Sequence, residues 1–512
     1  MNSQEPAALI SPRRRWAITI VVMSATLMTM LDSTIANVAL PYMRATLGAN
    51  QDQINWVLTS YMIAAALAIP ATGYLESRLG RRNFFTMALI GFVVSSMTCG
   101  AAVSLNMMVI SRIVQGACGA ALGPLGQSIL LDSYVKADHP KAISLWGLGV
   151  MVGPICGPVL GGWLTDSFNW RWVFMVNVPV GIITIIGAWA LVESPKVARR
   201  SFDLIGYGLI ATALAALQLI LDRGTQLDWF HSTEIVVETM VFAAAMWMFV
   251  VHQIHEPHPI FPKAVFTDRN FMSSCIILMT GSGIMMAGAA INIPLIQGLY
   301  GYSAITAGEL AMPRAVAMAA AMMLVSRLAG KVDIRISLAM GLFLAAIGQL
   351  GMSQFSLDAS QWAIVWTCAL QGFGLGMVFL QLTMLAYSTL PPEMRLDAAT
   401  VTQLGRSLAS SMMVAIISAI TARSIQINHE ELGGNVTEMS LPGLHSGMLE
   451  QFGMRGEVIL GGVDMEVNRQ AAMISYINDF WVMGWALIIL LPIVLIVKPA
   501  LSSSQKPVID SH

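Results

Sequence analysis

Long apolar runs separated by short polar connections set the pattern of this chain. Runs of about 20 apolar residues, the length a helix needs to cross a bilayer, recur throughout. They fall near residues 16–40, 54–75, 84–103, 107–131, 142–164, 172–192, 204–221 and 235–254. Six more fall near 271–296, 307–328, 336–354, 362–388, 398–422 and 480–498. The pattern predicts fourteen transmembrane helices, and an even number places both termini on one side.

Composition agrees with an all-α integral membrane fold. The chain is 56% hydrophobic and 11% charged, with mean hydropathy +0.68; soluble domains carry about 25% charged residues. A net charge of −1 gives no footprint for nucleic acid. Cys99, Cys118, Cys156, Cys275 and Cys368 all lie in apolar runs, so no disulfide framework is implied. The first run is long enough to span and does not read as a cleavable signal.

Most of the 28 Lys and Arg, among them Arg13, Arg14, Arg15, Arg78, Arg81 and Arg82, fall in connections on the side of the N-terminus. The opposite side holds Arg44, Arg171, Arg223, Arg423, Arg455 and Arg469. This bias predicts cytoplasmic termini. Arg112-Ile-Val-Gln115-Gly116 in span 4 is echoed by Cys368-Ala-Leu-Gln371-Gly372 in span 12. Two related halves with substrate held between them describe a rocking transporter. The expected organisation is a cytoplasmic segment 1–15, a six-helix half 16–192, inserted helices 203–254, a second six-helix half 271–498 and a tail 499–512.

Asp32 is the most telling residue. It is a carboxylate inside an apolar helix, where a charge costs roughly 2.5–3.5 kcal/mol on insertion scales. Such a group takes up and releases protons as its surroundings change polarity, as a proton-driven pump requires. Arg112 in span 4 has no acidic neighbour in its own helix and needs a partner from another. Asp32 is the candidate, and breaking that contact would switch the protonation state. Asn37 and Gln115 are polar candidates for a substrate cavity.

Two glycine-rich segments accompany the pair. Gly73-Tyr-Leu-Glu-Ser-Arg78-Leu-Gly80-Arg81-Arg82 is expected on the loop between spans 2 and 3, its glycines allowing a tight turn. Span 5 carries Gly149, Gly153, Pro154, Gly157, Pro158 and Gly161. Glycines four apart make a face for close helix packing, and the prolines are expected to deform the helix.

Together these pieces resemble the major facilitator superfamily, in particular its fourteen-span drug:proton antiporter branch. Gly73–Arg82 is similar to the family's loop motif, Arg112–Ala121 to its fourth-helix motif and Gly149–Gly162 to its antiporter motif. Leu31-Asp32-Ser-Thr-Ile-Ala-Asn37-Val-Ala-Leu-Pro41 is similar to the branch's first-helix signature. Trp172-Val-Phe-Met-Val-Asn177-Val-Pro179-Val-Gly181 and Leu221-Asp222-Arg223-Gly224 resemble the EmrB-like subgroup, the inner-membrane pumps of tripartite efflux systems. The resemblance implies two six-helix bundles plus an inserted two-helix hairpin. It also implies a bacterial inner-membrane location, a periplasmic adaptor (a membrane fusion protein) and an outer-membrane channel as partners. The chain departs from the loop motif at Ser77, where the family has Asp, with Glu76 one residue earlier; the usual loop-to-helix charge contact is thereby in question.

In the second half, Glu309, Met312, Arg314, Gln371 and Arg406 are candidates for the cavity, with Asp397 a candidate partner for Arg406. Methionine is abundant, at 36 residues, and flexible thioethers suit a site that repacks around varied apolar molecules. Residues 424–478 form a long connection on the periplasmic side, with adaptor docking as the role the resemblance implies. His252, His255, His258 and Glu256 are interrupted by Pro257 and Pro259, so no metal site is expected there. No phosphate-binding glycine loop is present, so no cofactor is expected and the proton gradient is the predicted drive. The sequence thus describes a transporter, not an enzyme, acting on small hydrophobic substrates and protons in contact with membrane lipid. An exporter dedicated to one endogenous metabolite and a non-transporting sensor are the alternatives.

Overall fold

The computed structural model describes residues 11–135, 138–193, 201–328, 331–391, 394–436 and 454–496. Among them, thirteen helices are long and apolar enough to cross a membrane. They are α1 (Pro12–Leu47), α2 (Gln53–Leu79), α3 (Arg81–Gly100), α4 (Leu105–Ser133), α6 (Trp172–Leu191), α7 (Leu204–Arg223) and α8 (Thr233–His255). The others are α9 (Arg269–Leu299), α10 (Thr306–Leu328), α11 (Ile334–Met352), α12 (Gln361–Tyr387), α13 (Arg395–Gly434) and α14 (Gly461–Leu495). The fifth expected span is the continuous helix α5 (His139–Ser167). Polar caps mark several starts on cue: Ser11 before α1, Ser104 before α4, Asp203 before α7, Asp268 before α9 and Ser360 before α12 each accept a backbone N–H.

The packing repeats itself. Helix α1 packs on α5 and α6, α2 on α4, and α3 on α4 and α6; the same pairings recur eight helices later among α9–α14. One seam shows the equivalence at atomic level. A Cβ on Gly116 of α4 would strike the Tyr61 carbonyl of α2, and one on Gly372 of α12 would strike the Arg314 carbonyl of α10. Glycine is required at both crossings because backbone meets backbone there.

The α7–α8 hairpin leans on both halves: α7 packs against α2 and α13. Tyr207 donates to the Leu67 carbonyl at 3.1 Å, and Thr59 of α2 donates to Asp222. His252 of α8 closes the hairpin's other end on Asp203 at 2.9 Å.

The face where α1 begins is called the N-face. There the halves meet: Tyr387 of α12 donates to Gln127 of α4 at 3.2 Å, and Trp146 of α5 stacks on Phe379 of α12 at 6.2 Å. Arg395 at the start of α13 donates to Asp132 at the end of α4 at 2.6 Å. The molecule is closed on this face.

Two sequence expectations shift. The connection 424–478 is shorter than its numbering implies, because α13 runs helically to Gly434 and the helix of α14 begins at Met454. Forty residues of helix reach about 60 Å, twice the roughly 30 Å hydrocarbon core. The two helices therefore project beyond the far face, joined by Asn428–Ser475 at 3.1 Å and His429–Asp464 at 3.7 Å. The loop motif is also mostly helical: Thr72–Leu79 is helix with Gly73 inside it, and the turn is confined to Gly80 at φ 81°. That left-handed backbone favours glycine.

Candidate functional site

Asp32 and Arg112 meet in the interior of the first half. Arg112 donates to Asp32 Oδ2 at 2.6 Å, and their side chains are 1% and 0% exposed. Several polar side chains converge on the pair. Gln115, one turn along α4, donates to Asp32 Oδ1 at 2.8 Å and accepts from Arg112 at 2.9 Å. Asn177 of α6 donates to the same Oδ1 at 3.1 Å and to Ser96 Oγ at 3.1 Å. Arg112 Nε donates to the Val57 carbonyl at 3.0 Å. Aromatic faces cover the guanidinium, with Tyr61 at 4.2 Å and Phe174 at 5.7 Å from it.

Asp32 thus accepts three hydrogen bonds, which is the coordination of an ionised carboxylate. Both charges are desolvated together, and their worth depends on these hydrogen bonds; removing one partner of such a pair costs about 3–5 kcal/mol.

The glycines of α5 set how near α1 comes. A Cβ on Gly153 would lie 2.9 Å from the Leu31 nitrogen, and one on Gly161 would lie 3.3 Å from the Ile35 carbonyl oxygen. Thr34 also reaches the Gly153 carbonyl at 3.3 Å. The seam therefore grips the stretch of α1 that holds Asp32. Gly149 sits farther out, 3.5 Å from the Met23 carbonyl by the same measure. The helix continues through Pro154 and Pro158, whose side chains lie outside the described residues.

At the N-face Glu76 takes the place of the missing Asp. Arg81 donates to Glu76 at 2.6 Å and to Asp132 at 2.5 Å, and Asp132 in turn holds Arg395 of the second half. The charge contact is kept, one residue earlier than the motif predicts. Arg78 donates to the Tyr74 hydroxyl at 2.7 Å, and Arg82 lies over the Trp189 ring at 4.7 Å.

The other cavity candidates are scattered. Gln115 and Gln371 are fully buried between helices and do not line an open space; Gln371 donates to Gln349. Asn37 is exposed and donates to the Ser33 carbonyl, and Glu309 and Met312 are exposed near the start of α10. Among the described residues Arg314 reaches only the Cys368 sulfur at 3.7 Å, and its Nε has no partner. Arg406 lies over Phe379 at 4.9 Å with its Nε likewise unused. Asp397 cannot serve it, because nine residues are two and a half turns, which puts the two on opposite faces of α13. A separate cavity of about 780 Å³ opens at the N-face between Tyr74, Phe202, Phe261, Lys263 and Asp397. It lies between the hairpin and both halves, away from the Asp32 network.

Sequence reasoning did not assign Asn177, Tyr61 or Ser96 to the site. A polar Asn at the head of an apolar run was the available signal for Asn177.

The profile of the Major Facilitator Superfamily matches residues 22–414. The chain belongs to the major facilitator superfamily. It is 33% identical over 488 residues to the multidrug export protein EmrB of Escherichia coli K12, covering 94% of this chain and 95% of that one. It is also 33% identical over 492 residues to the fatty acid resistance protein FarB of Neisseria gonorrhoeae, covering 95% and 96%. The fold matches the human organic anion transporter MFSD10 with TM-score 0.58 at 14% identity, covering 93% of this chain and all of that one. It matches the proton:xylose symporter XylE with TM-score 0.59 at 14% identity, covering 96% and 97%. The chain is an EmrB-like multi-pass membrane transporter and not an enzyme.

Proposed function

We propose that this transporter is a proton-coupled antiporter that exports hydrophobic toxic compounds by alternating access. The observation that carries the reading is the buried, hydrogen-bonded Asp32–Arg112 pair beneath a closed N-face. Ionised Asp32 is satisfied only while Arg112, Gln115 and Asn177 all point at it. These donors come from α4 and α6, so rocking that displaces either helix from α1 leaves a bare carboxylate at membrane depth. Proton uptake then neutralises it. The α5 glycine seam is where α1 slides.

With cytoplasmic termini, as the basic residues predict, the N-face is cytoplasmic and the closed state faces outward. The resemblance to multidrug export proteins supports a bacterial inner-membrane pump working with a periplasmic adaptor and an outer-membrane channel. The projecting ends of α13 and α14 are where the adaptor would dock. A narrower substrate range has one observation in its favour. Among the described residues neither Arg314 nor Arg406 forms an ion pair, and two unpaired guanidiniums in the second half suit lipophilic anions. The fatty acid resistance relative points the same way.

The test is proton flux in inverted vesicles with an acidic interior. Lipophilic acids, neutral drugs and dications are added in turn to wild type and Asp32→Asn. Compound-triggered proton release by wild type alone is expected, strongest for the acids. Equal release by both proteins removes Asp32 from the mechanism.

A further inference from the structure

A second intramembrane carboxylate lies in the other half, and its surroundings invert those of Asp32. Asp479 on α14 is 0% exposed, and its Oδ1 has no hydrogen-bond partner. Its Oδ2 accepts from Thr421 Oγ1 of α13 at 2.5 Å. That hydroxyl is also 2.8 Å from the Ile417 carbonyl, to which it donates. A threonine hydroxyl owns one proton. Shared between the Ile417 carbonyl and Asp479, that proton gives the carboxyl at most one neutral hydrogen bond.

Among the described residues the charges nearby do not offer an alternative. Helix α14 packs on α9, α11 and α13. In α9 and α11 the only charged residues, Arg269 and Arg335, stand at the first or second position, at the N-face end. On α13 Arg423 is exposed and His429 faces Asp464. On α14 itself Tyr476 is one turn away, and Arg469 pairs with Glu466. An ionised carboxylate enclosed without a cation neutralises itself.

We infer that Asp479 is a second proton-binding site, holding a proton on its carboxyl group in the conformation closed at the N-face. Asp32 and Asp479 are then in opposite protonation states within one conformation, the first ionised with three donors and the second neutral with a single shared hydroxyl. Separation of α13 from α14 would admit water to Asp479 and let its proton leave. The coupling role of this site rests on the antiport reading; its occupancy does not.

Two measurements separate them. The infrared C=O band of a buried protonated carboxyl is recorded at neutral pH for wild type, Asp479→Asn, Asp32→Asn and Thr421→Val. The band is expected in wild type and Asp32→Asn, absent in Asp479→Asn, and shifted in Thr421→Val, which keeps Asp479 in place should the Asn variant fold poorly. In vesicles, Asp479→Asn is expected to move about one proton fewer per substrate. A band unchanged in both Asp479→Asn and Thr421→Val overturns the site, and an unchanged proton ratio overturns its role in coupling. If wild type shows no substrate-driven proton flux while the band still depends on Asp479, the antiport reading fails and the proton site stands.

Discussion

At the residue scale, the Asp32 network behaves as one unit because each member satisfies another. Arg112→Ala would leave Asp32 buried without its cation, and an unfolding loss of about 3–5 kcal/mol is expected. Thermal unfolding in detergent, followed by tryptophan fluorescence, measures it. Gln115→Leu removes one donor to Asp32 and one acceptor for Arg112. A smaller loss, about 1–3 kcal/mol, is expected together with impaired proton release. If Gln115→Leu matches wild type in both, the network is not a unit. Asp32 and Arg112 were legible in the sequence because an isolated charge in an apolar run demands a partner. Asn177 and Tyr61 were not, because an amide or a phenol in such a run is ordinary until a neighbouring helix is placed against it. Asp479 escaped for another reason: it stands at the edge of its apolar run, where hydropathy alone does not tell buried from solvated.

At the element scale, close approach separates the glycines of α5 from one another. Gly153→Val would drive a side chain into the α1 backbone at Leu31, whereas a Cβ at Gly162 meets nothing within 4 Å. Gly153→Val is therefore expected to abolish transport while Gly162→Ala leaves it within about twofold, the range of neutral surface changes. Substrate efflux assays on equal amounts of inserted protein compare the two. Equal activity would mean the seam is slack. The positions and number of the helices were readable from run length and hydropathy. Their ends were less so: charged and polar residues at 424–434 and 454–478 read as loop, yet they continue helices that are already nucleated within the membrane, and extension costs little once the first turns exist.

For the whole molecule, closure at the N-face depends on a few polar ties across the halves. Asp132 holds Arg81 of its own half and Arg395 of the other. The cross-half pair is partly solvated, so its worth is about 1 kcal/mol, enough to shift the balance of conformations about fivefold. Arg395→Gln is expected to widen the distance distribution between spin labels placed on the two halves at this face. An unchanged distribution would assign closure to the packing of Trp146 and Phe379 instead. The two-half architecture was visible in the echo of Arg112–Gly116 by Cys368–Gly372. What the echo hid is where the copies diverge.

That divergence has a consequence for direction. At the seam shared by both halves, Tyr61 and Arg314 occupy corresponding positions, while Arg112 corresponds to Cys368. The duplicated scaffold has thus moved its cation from one helix to another. In the first copy the cation faces a carboxylate; in the second it faces a thiol and remains unspent. A machine built from two identical copies would run equally well either way round. This one has kept the symmetry of its frame and given up the symmetry of its charges, so its two halves present different groups to whatever passes between them.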